Sequence, residues 1–264
     1  MAARPRVLAI AGSDPSAGAG LQADLKTMFA CGVYGMTVVT AVTAQNSRGV
    51  SAVWPVPPEA VAAQLDAVLG DIGVDAVKIG MLARADTVHV VADRLAALDV
   101  PIIVDPVGFA SHGEPLADTD ARAVLRSRLL PLATLVTPNL AEAAELAGVT
   151  VHEETDLELA AWAMKTLGPE WVLVKGGHLA GDAVDALYDG VTVRFFRSPR
   201  IATAHTHGTG CTLASAIASY LARGYSVPDA VGRAKDAVTA AIAGGFPLGS
   251  GTGPVDHDRL LDFR

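Results

Sequence analysis

The sequence predicts an α/β fold: a mostly parallel central sheet with helices on both faces and a small antiparallel hairpin at one edge. Three observations carry this. Short β-branched runs alternate with longer helical patterns from one end of the chain to the other, as βαβ units do. Each run ends in a polar or Gly-rich turn. Near the end of the series, VDALYDG (184–190) and VTVRFFR (191–197) meet at Asp189-Gly190, a pair that favours the tight turn of a hairpin.

The elements follow in order. RVLAIAG (6–12) is too short and too soon ended by Asp14 to be a signal segment and reads as the first strand. The Gly-rich loop AGSDPSAGAG then opens a helix at 19–31. MTVVTAVTA (36–44), DAVKIG (75–80), PIIVDP (101–106), TLVTP (134–138) and WVLVKGG (171–177) are the further strands. Between them lie helical patterns at 58–70, 84–98, 118–130, 139–147 and 156–167, several opened by Pro, Asp, Thr or Asn. After the hairpin, helices at 209–223 and 227–243 close the fold, and the Gly- and Pro-rich stretch from Phe246 to Pro254 reads as a loop. No low-complexity linker and no fixed-period repeat interrupts the series. The expectation is one domain over residues 1–264.

Composition bounds the function. With 51% hydrophobic and 18% charged residues, the 264-residue chain is globular and long enough to bury a large core. A net charge of −8 without clustered Lys and Arg argues against nucleic acid as partner. No apolar run reaches the roughly 18 residues of a membrane helix. Two cysteines, Cys31 and Cys211, are too few for a disulfide framework, so the cytoplasm is the expected compartment. A small phosphorylated ligand needs only local N–H groups, a lysine or two and a metal ion, and stays open.

In a doubly wound sheet, ligands bind at the carboxyl ends of the strands. Those ends here read AGSDPSAGAG, AQNS, KIGM, DPVG, TPNLAE and KGGH, and six polar ends imply a shared crevice. The stretch HTHGTGCT (205–212) adds a Gly-rich turn running into a helix, and a helix N-terminus favours an anion. Cys211 in that first turn reads two ways: as a thiol whose pKa is lowered there, or as a small inert hydrophobe. A zinc site through His205, His207 and Cys211 lacks a CxxC or HExxH to complete it. Asp105 and Glu142 are candidates to hold a hard cation, with a strand-end cap and a capping arrangement begun at Asn139 as the respective alternatives. Lys175 at the end of an apolar run needs a partner, for which phosphate is a candidate. Gln45, after a buried strand, needs one too, whereas Asp24 reads equally as ligand contact or exposed helix position.

The segments AGSDPSAGAGLQADLKT, VTAVTAQNS, VKIGML, VDPV, TPNLAEAAEL, VLVKGGH and THGTGCTLASAIA span nearly the whole chain. Together they resemble the hydroxymethylpyrimidine/phosphomethylpyrimidine kinase family of thiamine biosynthesis, within the ribokinase-like superfamily. The resemblance implies a ribokinase-like fold, ATP and Mg²⁺, a homodimer, and phosphorylation of 4-amino-5-hydroxymethyl-2-methylpyrimidine and then of its monophosphate. It implies that Gly208, Thr209, Gly210 and Cys211 form an anion hole, with Cys211 as base. Asn139 and Glu142 match a motif that organises Mg²⁺, with Asp105 nearby. Lys175 and Thr206, with Gly208 and Thr209, fall on the nucleotide. Gln45 reads the pyrimidine edge, with Gly12, Asp24, Val42 and Met81 around the ring. After the fourth strand the family's DPVMVAKSG is replaced by DPVGFASHG, so Gly108, Phe109, Ser111 and His112 put substrate preference in question. A pyridoxal or pyridoxine kinase is the alternative within the superfamily, and a catalytically silent pyrimidine-binding protein the alternative outside it.

Overall fold

Alternation along the strands sets the layers. In a computed structural model, which describes residues 4–108, 116 and 118–264, the strands are β1 (Arg6–Ser13), β2 (Tyr34–Asn46), β3 (Gly49–Pro55), β4 (Ala76–Ile79), β5 (Ile102–Val104), β6 (Leu135–Val136), β7 (Trp171–Lys175), β8 (Ala183–Tyr188) and β9 (Val193–Ser198). They form one sheet in the order β3-β2-β1-β4-β5-β6-β7-β8-β9. The pairings from β2 through β7 are parallel, and β3, β8 and β9 run antiparallel to their neighbours.

The helices are α1 (Gly20–Ala30), α2 (Pro58–Ala67), α3 (Ala85–Leu95), α4 (Thr119–Val124), α5 (Leu140–Ala147), α6 (Asp156–Lys165), α7 (Thr209–Ala222) and α8 (Val227–Ala243). Leu8, Ile10, Val77, Ile79 and Val104 face one core shared with α2 to α6. Val7, Ala9, Ala11, Ala76 and Ile103 point the other way, into a core shared with α1, α7 and α8. Period-2 strands buried on both faces require helices on both faces. The expected α/β architecture is the one observed.

Several boundaries differ, each for a local reason. β3, which hydrogen-bonds to β2 across a tight turn, occupies a stretch that carries Gly, Ser and Pro in place of clean alternation. The 58–70 pattern ends as α2 at Ala67 and unwinds into a π-turn at Val68–Ile72. The 118–130 pattern likewise breaks into α4, a π-turn and a 3₁₀ turn that carries Pro131. The hairpin is joined by four residues, 189–192, because Asp189 Oδ1 accepts from the N–H groups of both Val191 and Thr192 at 2.7 Å. A short 3₁₀ helix, His257–Phe263, follows the expected loop at 246–254. The substituted positions Phe109, Ser111 and His112 lie outside the described residues, and Gly108 is buried.

The chain runs from β1 outward to β2 and β3, then returns to place β4 on the other side of β1. This reversal makes a crevice at the carboxyl ends of β1 and β4. Among the described residues no helix is long and apolar enough to cross a membrane.

Candidate active site

The turn before α7 is seated against the loop after β1. Gly208 caps α7 with φ of +85°, and a Cβ there would stand 1.8 Å from the carbonyl oxygen of Gly18, so only glycine allows this approach. Thr209 is turned back on the loop, its Oγ1 donating to the Thr206 carbonyl at 2.7 Å. Cys211 is the third residue of the helix, and its sulfur also meets the N–H of Gly20 at the start of α1. Two helix N-termini therefore converge on one small volume.

Directly across from that turn are the ends of β5 and β7. A Cβ on Gly210 would meet Lys175 Nζ at 3.5 Å and Asp105 Oδ2 at 3.6 Å. Lys175 Nζ donates to Asp105 Oδ1 at 2.8 Å, and Thr137 Oγ1 donates to the same oxygen at 3.0 Å. The partner that Lys175 requires is thus supplied by the protein itself. Burial alone would push Asp105 up, but Lys175 and then Lys78 outweigh it and hold the carboxyl below its ordinary range. Lys175 is held above its ordinary value, since Asp105 and Glu142 outweigh its own burial.

Asn139 and Glu142 open α5 as a reciprocal capping box: Asn139 Oδ1 accepts from Glu142 N at 2.9 Å and Glu142 Oε2 from Asn139 N at 2.7 Å. Capping accounts for their geometry without accounting for the charge. Glu142 is 6% exposed. Its burial pushes its pKa up to about 7, Lys175 opposes this and Asp105 adds to it. Asp105 and Glu142 thus form a donor set of hard oxygens in which Lys175 acts on both, Lys78 adds to Asp105, and Glu142 is left short of positive charge. Such a set fits a divalent cation of the Mg²⁺ type.

Cys211 departs from the expectation of a lowered pKa. Burial pushes the thiol up to about 11; Lys78 works the other way, and Asp24 and Asp105 reinforce the rise. The helix N-terminus is real, but desolvation and two carboxylates outweigh it.

Asp24, expected at the ring or on an exposed helix face, is wholly buried beneath the crevice. Its carboxylate accepts from Lys78 Nζ at 2.8 and 3.0 Å and from Ser215 Oγ at 2.7 Å. Lys78 is fully buried and kept charged by this pair. Ser215 is one helical turn beyond Cys211, so the pair lies under the thiol. Lys78 escaped notice in the sequence although it shows the signal used for Lys175, a lysine within an apolar run. His207, weighed in the sequence only as a zinc ligand, instead lies 3.1 Å from Asp14, a residue the sequence does not single out.

Among the ring candidates, Gly12 lies against Met81, Thr40 Oγ1 donates to the Met81 carbonyl at 2.6 Å, Val42 is 48% exposed, and Gln45 lies 3.4 Å from His207. A cavity of about 190 Å³ opens beside Asn46 and His207, lined as well by Ser16, Gly18 and the 246–254 loop among others.

A family model described as phosphomethylpyrimidine kinase matches residues 14–256. The hydroxymethylpyrimidine/phosphomethylpyrimidine kinase of Streptomyces coelicolor is 60% identical over 257 residues, covering 97% of this chain and 96% of that one. The thiamine biosynthesis bifunctional protein ThiED of Geobacter sulfurreducens is 53% identical over 256 residues, covering 96% of this chain and 52% of that one. Among solved structures, the ADP complex of Bacillus subtilis pyridoxal kinase superposes with a TM-score of 0.91 at 39% identity, covering 98% of this chain and 99% of that one.

Proposed function

Because the chain belongs to the phosphomethylpyrimidine kinase family, we propose that its crevice moves the γ-phosphate of ATP to 4-amino-5-hydroxymethyl-2-methylpyrimidine and then a second phosphate to the resulting monophosphate, in thiamine biosynthesis. The observation that carries this reading is the meeting of the α7 N-terminus with the Asp105–Lys175 pair across Gly210.

Phosphoryl transfer asks a protein mainly for position and charge. The first N–H groups of α7, at Thr209, Gly210 and Cys211, receive the transferring group, with Gly208 shaping the turn. Lys175 and Thr206 hold the nucleotide phosphates beside them. Cys211, as its thiolate, accepts the proton of the hydroxymethyl oxygen as that oxygen bonds to phosphorus and the bond from phosphorus to ADP breaks. Asn139, Glu142 and Asp105 are the residues that would hold Mg²⁺, which when bound neutralises phosphate charge. Gln45 meets the pyrimidine edge, while Gly12, Val42 and Met81 surround the ring and Asp24 supports it from below. The enzyme works as one kinase domain, a reading supported by the continuous sheet. We place it in the cytoplasm as a homodimer, free of nucleic acid and membrane.

Pyridoxal is the alternative acceptor, favoured by the likeness to a pyridoxal kinase. A coupled ADP-release assay with ATP, Mg²⁺ and each acceptor separates the two. ADP release with the pyrimidine and its monophosphate at rates well above those with pyridoxal supports the reading. Release with pyridoxal alone overturns the substrate, and release with neither overturns the kinase.

A further inference from the structure

Asp14, Gln45 and His207 come from distant parts of the chain and meet beside the crevice. His207 is 7% exposed, and a Cβ on Gly18 would stand 2.2 Å from its Cδ2, so the ring fills space that only glycine leaves open. Its Nε2 lies 3.1 Å from Asp14 Oδ2 and 3.4 Å from Gln45 Nε2. Its Nδ1 is buried and has no hydrogen-bond partner among the described residues, so the polar work of the ring is done through Nε2.

Asp14 is anchored independently of the histidine. Its carboxylate accepts from Ser16 N at 2.8 Å, Ser16 Oγ at 2.7 Å and Ala19 N at 2.9 Å. Burial acts to raise its pKa, but these bonds and that from His207 outweigh it, so the group stays ionised. An ionised carboxylate only accepts, so His207 Nε2 carries a proton. That fixed donor also faces the Gln45 amide, where an oxygen is the better partner. On the amide's other side, Thr43 Oγ1, with one proton to give, lies 3.0 Å from the Ser13 carbonyl and 3.2 Å from Gln45 Oε1. With that proton on the Ser13 carbonyl and the His207 proton on Nε2, both neighbours favour the amide turned end for end, with Oε1 toward His207 and Nε2 toward Thr43.

So held, the amide keeps one N–H and one oxygen lone pair free, adjacent donor and acceptor. The 4-amino group and neighbouring ring nitrogen of an aminopyrimidine match them, as an amide matches adenine. The opposite sense sets acceptor against acceptor. We propose that His207, tethered by Asp14, is a positioning residue that fixes the sense of the Gln45 amide and so makes the site selective for an aminopyrimidine edge, an inference that rests on the reading of Gln45 as the residue at that edge.

The test compares dissociation constants, by competition calorimetry, for 4-amino-5-hydroxymethyl-2-methylpyrimidine and its analogue lacking the 4-amino group. The unaltered protein should prefer the amino compound by tenfold or more, on the order of what two matched hydrogen bonds give. His207→Leu should bring the two constants to within about threefold, mainly by weakening the amino compound. His207→Gln, whose amide N–H can reach Asp14, should keep the preference. In a Gln45→Leu background, His207→Leu should change the ratio no further, because it acts through Gln45. Equal weakening of both compounds by His207→Leu, or a further fall in the ratio in the Gln45→Leu background, would overturn the positioning role alone. An undiminished preference in Gln45→Leu overturns the reading of Gln45 as well.

Discussion

Cys211 illustrates how a residue's surroundings revise what its neighbours in sequence suggest. A cysteine in the first turn of a helix is expected to be acidic, yet this one is pushed up to about 11 by burial, with Asp24 and Asp105 adding to the rise. Those carboxylates come from residues far away in the chain, so their effect is invisible in HTHGTGCT. If Cys211 is the base, its active form grows with pH, and kcat/KM should climb steadily from about pH 7 to about pH 9. Cys211→Ala should lose that slope and lower kcat by roughly 10² to 10⁴ with little change in KM. Steady-state kinetics across that range checks both, and undiminished turnover removes Cys211 from the mechanism. Glu142 gives a stability prediction of defined sign. Its pKa stands at about 7 against an ordinary 4.5, so the folded chain holds a proton the unfolded chain releases. Stability is therefore drawn down as pH rises through that window. Glu142→Gln, which keeps the accepting oxygen of the cap, should match the parent near pH 4.5 and exceed it by about 2 kcal/mol at pH 8 in denaturant titrations.

Elements place these groups, and the joints between elements were the least legible part of the sequence. Strands and helices announced themselves by period, and the Gly-rich turn by composition. The Asp24–Lys78–Ser215 tie, which joins α1, β4 and α7, did not, because each partner is unremarkable until the sheet brings them together. Removing one member of a buried ion pair strands the other. Lys78→Met should cost about 3 to 5 kcal/mol in a urea titration, and Lys78→Met with Asp24→Leu should regain most of it. A double variant as unstable as the single would show that the pair does more than balance charge. At the joint of α7 with the first loop, Gly208→Ala meets both a positive φ and the Gly18 carbonyl. It should shift the anion-binding turn and lower kcat on the order of 100-fold, with a smaller change in pyrimidine KM. An unchanged kcat would mean that the turn does not hold the transferring group.

At the scale of the whole molecule, the order of elements was legible because a parallel sheet buried on both faces writes itself as apolar runs separated by helices. β3 was not, since an edge strand with no buried residue and with Gly, Ser and Pro within it leaves no strong pattern. The crevice followed from topology, where β4 returns past β1, and its chemistry from what the strand ends carry. What topology alone does not determine is the acceptor, since a pyridoxal kinase shares this architecture at a TM-score of 0.91. Phosphorus NMR of the protein turning over ATP, Mg²⁺ and 4-amino-5-hydroxymethyl-2-methylpyrimidine addresses it directly. A phosphomonoester signal should rise first and then give way to the coupled pair of a diphosphate ester as ADP accumulates. Inorganic phosphate and ADP with no phosphate ester of the pyrimidine would contradict the proposed transfer.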